Sequence, residues 1–481
     1  MPVSIARTIA FDVLLRVESE SAYSSELLHS ALAPSVQSAD AALATEIALG
    51  VLRWRRQLDF VLDQQLKKPV ERLDLPVAVA LRMGAYQLRF LKRIPARAAV
   101  NESVELVKRA RKNSAASLVN AVLRRISEQA TAAMETLLPA GMPQAGRLGA
   151  LHSHPAWIVE RWLARFGEAE ATALLEANNR VPPLALALRE PARRDEIARD
   201  LESAGLRAQP GRLLTSALLA SGGSVTRTEP FHAGKILIQD EASQAVPLLL
   251  GVRPGDRVLD LCAAPGGKTV ALASAAGASG LTVAAEIHEH RLRSMREQLA
   301  RLRIAVAECA ADRMPRSTEN PARTAAKAAR VYLAALDASQ PLPFSAPFDR
   351  ILVDAPCSGT GTLARHPEIR WRLRPERLAE FHVLQINLLR NALAQLAPGG
   401  RLVYSTCSFE PEENESVIDE IIASNSSVRL APADTSARLL APHLAPAVAP
   451  AALFDDRGFF RTSSAVHGTD GFFAAALEKN Q

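Results

Sequence analysis

The sequence predicts a multidomain protein with an all-α N-terminal domain, a small α+β module and a C-terminal α/β domain. Three observations carry that expectation. Apolar residues recur at helical spacing through roughly the first 130 positions, short alternating segments follow up to about 231, and from 257 onward short apolar runs alternate with helical stretches. At 481 residues the chain is too long for one compact core. A hydrophobic content of 48% with 22% charged residues is ordinary for a globular protein. The apolar start is interrupted by Arg7, Asp12 and Arg16, which argues against a signal peptide or membrane span, so a cytoplasmic location and no membrane partner are expected. Cys262, Cys309, Cys357 and Cys407 lie far apart with no CxxC spacing. No metal site is expected from them, and in a cytoplasm they are thiols.

In the helical segment, Ile5, Ile9, Val13 and Val17 form one stripe, and Leu118, Val119, Val122, Leu123 and Ile126 form another. Pro76 and Pro95 punctuate the bundle. Residues 51–150 carry 18 Lys/Arg against 8 Asp/Glu, whereas residues 151–481 carry 37 of each. Arg53, Arg55, Arg56, Lys92, Arg93, Arg97, Lys108, Arg109, Arg111, Lys112, Arg124 and Arg125 are expected on exposed faces. Such an excess suits a phosphate-binding surface, although a solvated helical surface would look the same. The order EIALGVLRWRRQLDFVL, LRMGAYQLRFLKRIPARAAVNESVELVKRA, LVNAVLRR resembles the NusB-type RNA-binding domain, without the aromatic residue usual before the last run. The resemblance implies a NusB-like domain over 1–135.

A Gly- and Pro-bearing stretch, 137–149, reads as a linker. The module over 150–235 is expected to begin with a helix carrying Trp157, Ile158, Trp162 and Phe166 on one side, followed by the strand-like LALALRE and ALLASGGSVTRT. Its expected task is to present RNA to the next domain, with a purely packing role equally open on pattern.

The α/β domain, 236–481, is organised around RVLDLCAAPGGKT at 257–269: a buried strand with Val258, Leu259 and Leu261, a loop of small residues, and the opening of a helix. Amides and the positive dipole at that opening favour an anionic group. GxGxxG is absent, and GxxxxGK[ST] fails because Cys262 stands at its first position. A ligand with a carboxylate and an ammonium, such as S-adenosylmethionine, therefore fits better than a dinucleotide or triphosphate. Next come LTVAAE, a helix over 288–302, IAVAECAAD, RILVDAP, a helix over 378–396, RLVYSTCS, a helix over 412–423, and a final strand in DGFFAAALEK with Phe472 and Phe473 in the core. This alternation demands a doubly wound, Rossmann-like parallel sheet with ligands beyond the carboxyl ends of its strands. Residues 313–347 are expected to be a surface excursion.

Glu286, ending the second strand, is placed to hold ribose hydroxyls, and Asp312, ending the third, to meet the adenine amino group. Asp354-Ala355-Pro356-Cys357 ends the fourth strand and Ser405-Thr406-Cys407-Ser408 the fifth, so both thiols and the carboxylate face one cleft. Carbon 5 of cytosine does not attack a methyl donor unaided, and a thiolate added at carbon 6 creates the required enamine. Five arginines near Trp371 in RHPEIRWRLRPERL are expected to hold phosphates and a displaced base, and PEENESVI to cap a helix.

DAPC and TCS, both downstream of DLCAAPGGKT, resemble the Sun/Nop2 family of RNA cytosine carbon-5 methyltransferases, and with the NusB-like start its branch acting on small-subunit (16S) ribosomal RNA. The resemblance implies Cys407 as nucleophile and Cys357 in release of the enzyme. It implies Asp354 at the cytosine N3 and amino group and near the cofactor, and Lys268 in positioning. Cys262, Ala263, Ala264, Pro265, Gly266, Gly267 and Lys268 would wrap the methionine part of S-adenosylmethionine. The family usually has Asp where Glu286 stands. A monomer bound to small-subunit ribosomal RNA is expected. Transfer RNA as the substrate, or a non-catalytic RNA-binding assembly factor, stay open.

Overall fold

The computed structural model describes residues 3–20, 22–32, 36–308 and 330–481. Residue contacts divide the chain into two units: Met1–Val181 with Leu363–Leu373, and Pro182–Thr362 with Arg374–Gln481. No helix among the described residues is long and apolar enough to cross a membrane.

The first unit is all-helical through its main elements: α1 (Ile5–Glu20), α2 (Ser24–Ala31), α3 (Ser38–Asp63), α4 (Leu75–Phe90), α5 (Ala96–Arg109) and α6 (Ala116–Glu128). Helix α4 is buried on every side from Val77 to Gln87, which makes it the axis of the bundle. Prolines mark helix starts as expected: Pro76 lies in the first turn of α4, and Pro95 just precedes α5. Gly50 of α3 lets α4 approach, since a Cβ there would lie 2.0 Å from the Tyr86 ring, whose hydroxyl donates to Glu46 at 2.6 Å. The α1 stripe needs one correction. Its buried face holds Ala6, Ala10, Phe11, Val13, Leu14 and Val17, whereas Ile5 is 60% exposed, because 3.6 residues per turn rotate a strict four-residue repeat off the core.

The basic residues also divide. Lys92, Arg93, Arg97, Lys108, Arg109, Arg111, Arg124 and Arg125 are exposed, and Lys112 is half-buried. Arg53 is buried and donates to the Ala364 carbonyl at 2.9 Å, Arg55 pairs with Glu18 at 2.8 Å, and Arg56 donates to the His154 carbonyl. The expectation that all decorate exposed faces fails for these three, because a guanidinium also satisfies backbone carbonyls inside a bundle.

The stretch Leu363–Leu373 belongs to this unit, and it overturns the phosphate-binding expectation for its core. Arg370 is fully buried and donates to the carbonyls of Arg53, Ser153 and Asn178 at 3.1, 3.1 and 2.7 Å and to Asn179 Oδ1 at 2.8 Å. Trp371 Nε1 donates to the Leu52 carbonyl at 2.6 Å, and Arg372 donates to the carbonyls of Val17 and Ala22.

In the second unit, β1 (Leu184–Leu188), β2 (Arg207–Pro210), β3 (Ala217–Ser221) and β4 (Ile236–Ile238) form an antiparallel sheet in the order β2-β3-β1-β4. The larger sheet contains β5 (Arg257–Leu261), β6 (Leu281–Glu286), β7 (Ala305–Glu308), β8 (Arg330–Ala335), β9 (Phe348–Asp354), β10 (Leu396–Thr406), β11 (Val428–Leu430), β12 (Phe460–Thr462) and β13 (Phe472–Lys479). Its order is β11-β13-β10-β9-β5-β6-β8-β7, with β12 on β13. Pairing is parallel from β10 to β7 and antiparallel around β13, so the sheet is mixed: a Rossmann-like core closed by the expected final strand. Leu259, Leu261, Ile351, Val353 and Leu402 pack on one side with Ile386, Leu389 and Ile418, while Val258, Leu352 and Val403 pack on the other with Leu272 and Ala276. Both faces are thus covered, and Phe472 and Phe473 are buried.

One strand was not foreseen. RVYLAA forms β8 between β6 and β7, inside the region expected to be a surface excursion. Val331, Leu333 and Ala334 are buried, which a surface loop would not provide.

Candidate active site

Register brings the site together. Parallel pairing sets Leu261 beside Val353 and Ser405 beside Asp354, so the chain leaves β5, β9 and β10 at one level. After β5 the loop turns through Cys262 and Gly266, with φ of 61° and 98°, into the helix Gly267–Ala276. A Cβ on Gly266 would lie 2.9 Å from Met295 Cγ, so the turn also needs glycine for space. Two side chains of the helix Glu289–Arg301 hold this loop, Arg291 donating to the Ala264 carbonyl at 2.9 Å and Gln298 to the Pro265 carbonyl at 2.8 Å. Neither was singled out in the sequence, since an arginine and a glutamine seven residues apart on a polar helix give no distinctive signal.

Lys268 Nζ lies 2.6 Å from Asp354 Oδ2, and Ser405 donates to Asp354 Oδ1 at 2.7 Å. The carboxylate is therefore held from two sides and remains partly exposed. The Sγ atoms of Cys357 and Cys407 are 3.4 Å apart, although the residues are 50 positions apart in the chain. Cys357 and Cys407 are each half-buried as whole residues, whereas Ser358, Thr406 and Ser408 beside them are buried. The hydrogen bond with Cys407, then burial, push the Cys357 thiol well above the usual thiol range. Burial likewise pushes Cys262 up, which disfavours it as a nucleophile.

Glu286 is buried at the end of β6, and its Oε1 accepts from His288 N at 3.0 Å. Oε2 faces Arg291 Nη1 at 3.0 Å as an ion pair and has no aligned hydrogen bond among the described residues, so this buried oxygen keeps acceptor capacity. Asp312 lies outside the described residues. The acid beyond the strand next to β6 is Asp337, exposed two residues past the end of β8, where Leu336 N donates to the Glu286 carbonyl at 3.2 Å. The run RVYLAALD ends in an acid just as RILVD does, and that parallel could have revealed it.

The capping expectation for PEENESVI also needs correction. Glu413 is fully buried and its carboxylate turns away from the helix Glu415–Ser424 to accept from Ser358 N at 2.7 Å and from the hydroxyls of Ser358 and Ser408 at 2.5 Å each. A helix start tolerates acids for dipole reasons, so sequence cannot separate that role from a buried anchor.

The loop and the acidic strand ends form a set with complementary donors and acceptors: a helix start for a carboxylate, and carboxylates for hydroxyl and amino groups. That set fits S-adenosylmethionine, and the unsaturated Oε2 of Glu286 is the observation that favours a diol there. Beside it stand two thiols and a carboxylate held by an ammonium.

Comparison with known proteins places these features in context. Residues 247–478 match the family model described as 16S rRNA methyltransferase RsmB/F, residues 4–128 the NusB family, and residues 154–226 an RsmF/B-like ferredoxin-like domain. The chain is 30% identical over 481 residues to the probable ribosomal RNA small subunit methyltransferase B of Bacillus subtilis, covering 100% of each. It is 35% identical over 410 residues to the ribosomal RNA small subunit methyltransferase B of Pseudomonas putida, covering 85% of this chain and 87% of that one. Among solved structures, a methyltransferase homolog protein from Pyrococcus horikoshii is similar at 27% identity and a TM-score of 0.53, over 70% of this chain and 99% of that one. NSun6 from the same organism, solved with SFG, shares the fold at 19% identity and a TM-score of 0.53, over 69% of this chain and all of the other.

Proposed function

The chain belongs to the 16S rRNA methyltransferase RsmB/F family, and from that premise we propose that it methylates carbon 5 of a cytosine in small-subunit ribosomal RNA through a covalent adduct at carbon 6. The observation that carries this reading is the thiol pair, with Sγ atoms 3.4 Å apart, close in sequence and register to the Lys268–Asp354 ion pair. The RNA branch of this chemistry uses a second sulfur, and here the second sulfur stands beside the first.

S-adenosylmethionine supplies the methyl group when bound. Cys262, Ala263, Ala264, Pro265, Gly266, Gly267 and Lys268 would hold its methionine part, and Glu286 its ribose. For the adenine amino group we propose Asp337, given its place beyond the strand beside β6. Asp354 would accept from the cytosine amino group, and the positive charge of Lys268 beside it would stabilise the negative charge that develops at N3. The Cys407 thiolate forms a bond to carbon 6, and the electron pair of the 5,6 double bond is displaced toward N3, which makes carbon 5 nucleophilic. After carbon 5 gains the methyl, its proton leaves to a base, the double bond re-forms, and the sulfur departs from carbon 6. Cys357 would accept that proton directly or through a water.

The helical domain over 1–135 would supply RNA affinity, the module over 150–235 would present the strand, and 236–481 would carry the chemistry, acting as a monomer in the cytoplasm. The test is Cys407→Ala: methylation of small-subunit RNA is lost while S-adenosylmethionine still binds. Methylation at the wild-type rate would reject the mechanism, and methylation of transfer RNA in place of ribosomal RNA would reject the substrate.

A further inference from the structure

Beyond Ala355 N donating to the Ser405 carbonyl at 2.9 Å, β9 and β10 no longer pair, yet the sulfurs two positions further along still meet at 3.4 Å. Past the sheet, one side chain bonds both chains at the residues next to the sulfurs. Ser358 follows Cys357 and Ser408 follows Cys407, and Glu413 accepts from the backbone and hydroxyl of the first and from the hydroxyl of the second. Gln385 Nε2 adds a longer contact at 3.4 Å, and Tyr404 fixes the backbone of the same residue by donating to the Glu413 carbonyl at 2.6 Å. A fully buried carboxylate is costly unless its oxygens are saturated, and here both are. The hydroxyls of Ser358 and Ser408 also lie 3.0 Å apart and Thr360 Oγ1 lies 3.3 Å from Ser408 Oγ, while Gly361 N donates to the Cys407 carbonyl at 2.9 Å and Phe409 N to Thr360 Oγ1 at 2.9 Å.

We infer that Glu413 is a positioning residue: its carboxylate clamps the chain after Cys357 to the chain after Cys407 and so sets how closely the two thiols approach. The inference rests on the reading of these sulfurs as a working pair. Glu413 touches neither the substrate nor the cofactor in this account. It acts through Ser358 and Ser408.

The experiment measures the equilibrium between the Cys357–Cys407 dithiol and its disulfide in buffers of reduced and oxidised dithiothreitol, the linked peptide being quantified by mass spectrometry. No RNA or cofactor is present, so the result does not depend on the proposed reaction. Glu413→Ala should lower the disulfide formation constant by about tenfold or more, equivalent to about 30 mV for a two-electron couple. Glu413→Gln should restore most of it, because its amide can still accept from Ser358 N and donate to both hydroxyls. Ser408→Ala, which keeps the buried acid and one arm of the clamp, should fall between them and carries the test if Glu413→Ala does not fold. Turnover should follow the same order, with kcat reduced and the KM for RNA unchanged. A formation constant unchanged in both Glu413→Ala and Ser408→Ala overturns the inference. Methylation persisting in Cys407→Ala overturns the proposed reaction and leaves the clamp standing.

Discussion

Asp260 illustrates what one residue contributes. It sits in β5 ahead of the loop that leads into the helix Gly267–Ala276, is fully buried, and accepts from the Thr269 hydroxyl through Oδ2 at 2.6 Å while Oδ1 has no hydrogen-bond partner among the described residues. Burial raises its carboxyl from 3.8 to about 7. As pH rises, the unfolded chain releases this proton near 4 and the folded chain holds it until about 7, so the folded state binds more protons in that window and stability falls across it. Asp260→Asn cannot ionise and should abolish this decline. Relative to the wild type the variant should gain up to ~4 kcal/mol between pH 4 and 7, as read by urea unfolding at several pH values. Stability curves that stay parallel would contradict it. The apolar run Val258, Leu259, Leu261 was legible in the sequence as a strand, but an acid inside such a run reveals its depth only when the sheet is covered on both faces.

Among elements, Leu363–Leu373 shows how far composition reaches. Arg370→Leu removes the donor to four carbonyls and to Asn179, and should lower the stability of the helical unit by about 3 kcal/mol, visible as a lower melting temperature. Arg370→Lys should recover little, because an ammonium cannot span the same acceptors. An unchanged melting temperature in both would refute the anchoring role. A cluster of arginines beside a tryptophan reads as a phosphate surface because guanidinium serves phosphates and carbonyls alike. Only the fold reveals which acceptor is present. For the same reason the alternation of strands and helices around DLCAAPGGKT, DAPC and TCS was readable, since buried parallel strands leave a periodic apolar signature. RVYLAA was obscured by the Ala-, Arg- and Pro-rich residues around it, and Glu413 by a position where an acid has a simpler explanation.

At the scale of the molecule, the charge asymmetry and the chemistry separate. The basic excess of residues 51–150 is partly consumed by internal bonds of Arg53, Arg55 and Arg56, while Lys92, Arg93, Arg97, Lys108, Arg109, Arg111, Arg124 and Arg125 are exposed. If the helical domain supplies RNA affinity, Arg124→Glu with Arg125→Glu should weaken RNA binding and reduce its dependence on salt by roughly one unit of slope per lost phosphate contact, with S-adenosylmethionine affinity unchanged. An unaltered salt slope would place RNA binding elsewhere. The central claim is that two sulfurs share one pyrimidine ring, one attaching to it and the other releasing it. The most direct measurement is a denaturing gel of the Cys357→Ala variant after incubation with small-subunit RNA and S-adenosylmethionine. A slow protein–RNA band is expected, and it should vanish when Cys407→Ala is added. No band in the single variant, or a band that survives the loss of Cys407, would contradict the account.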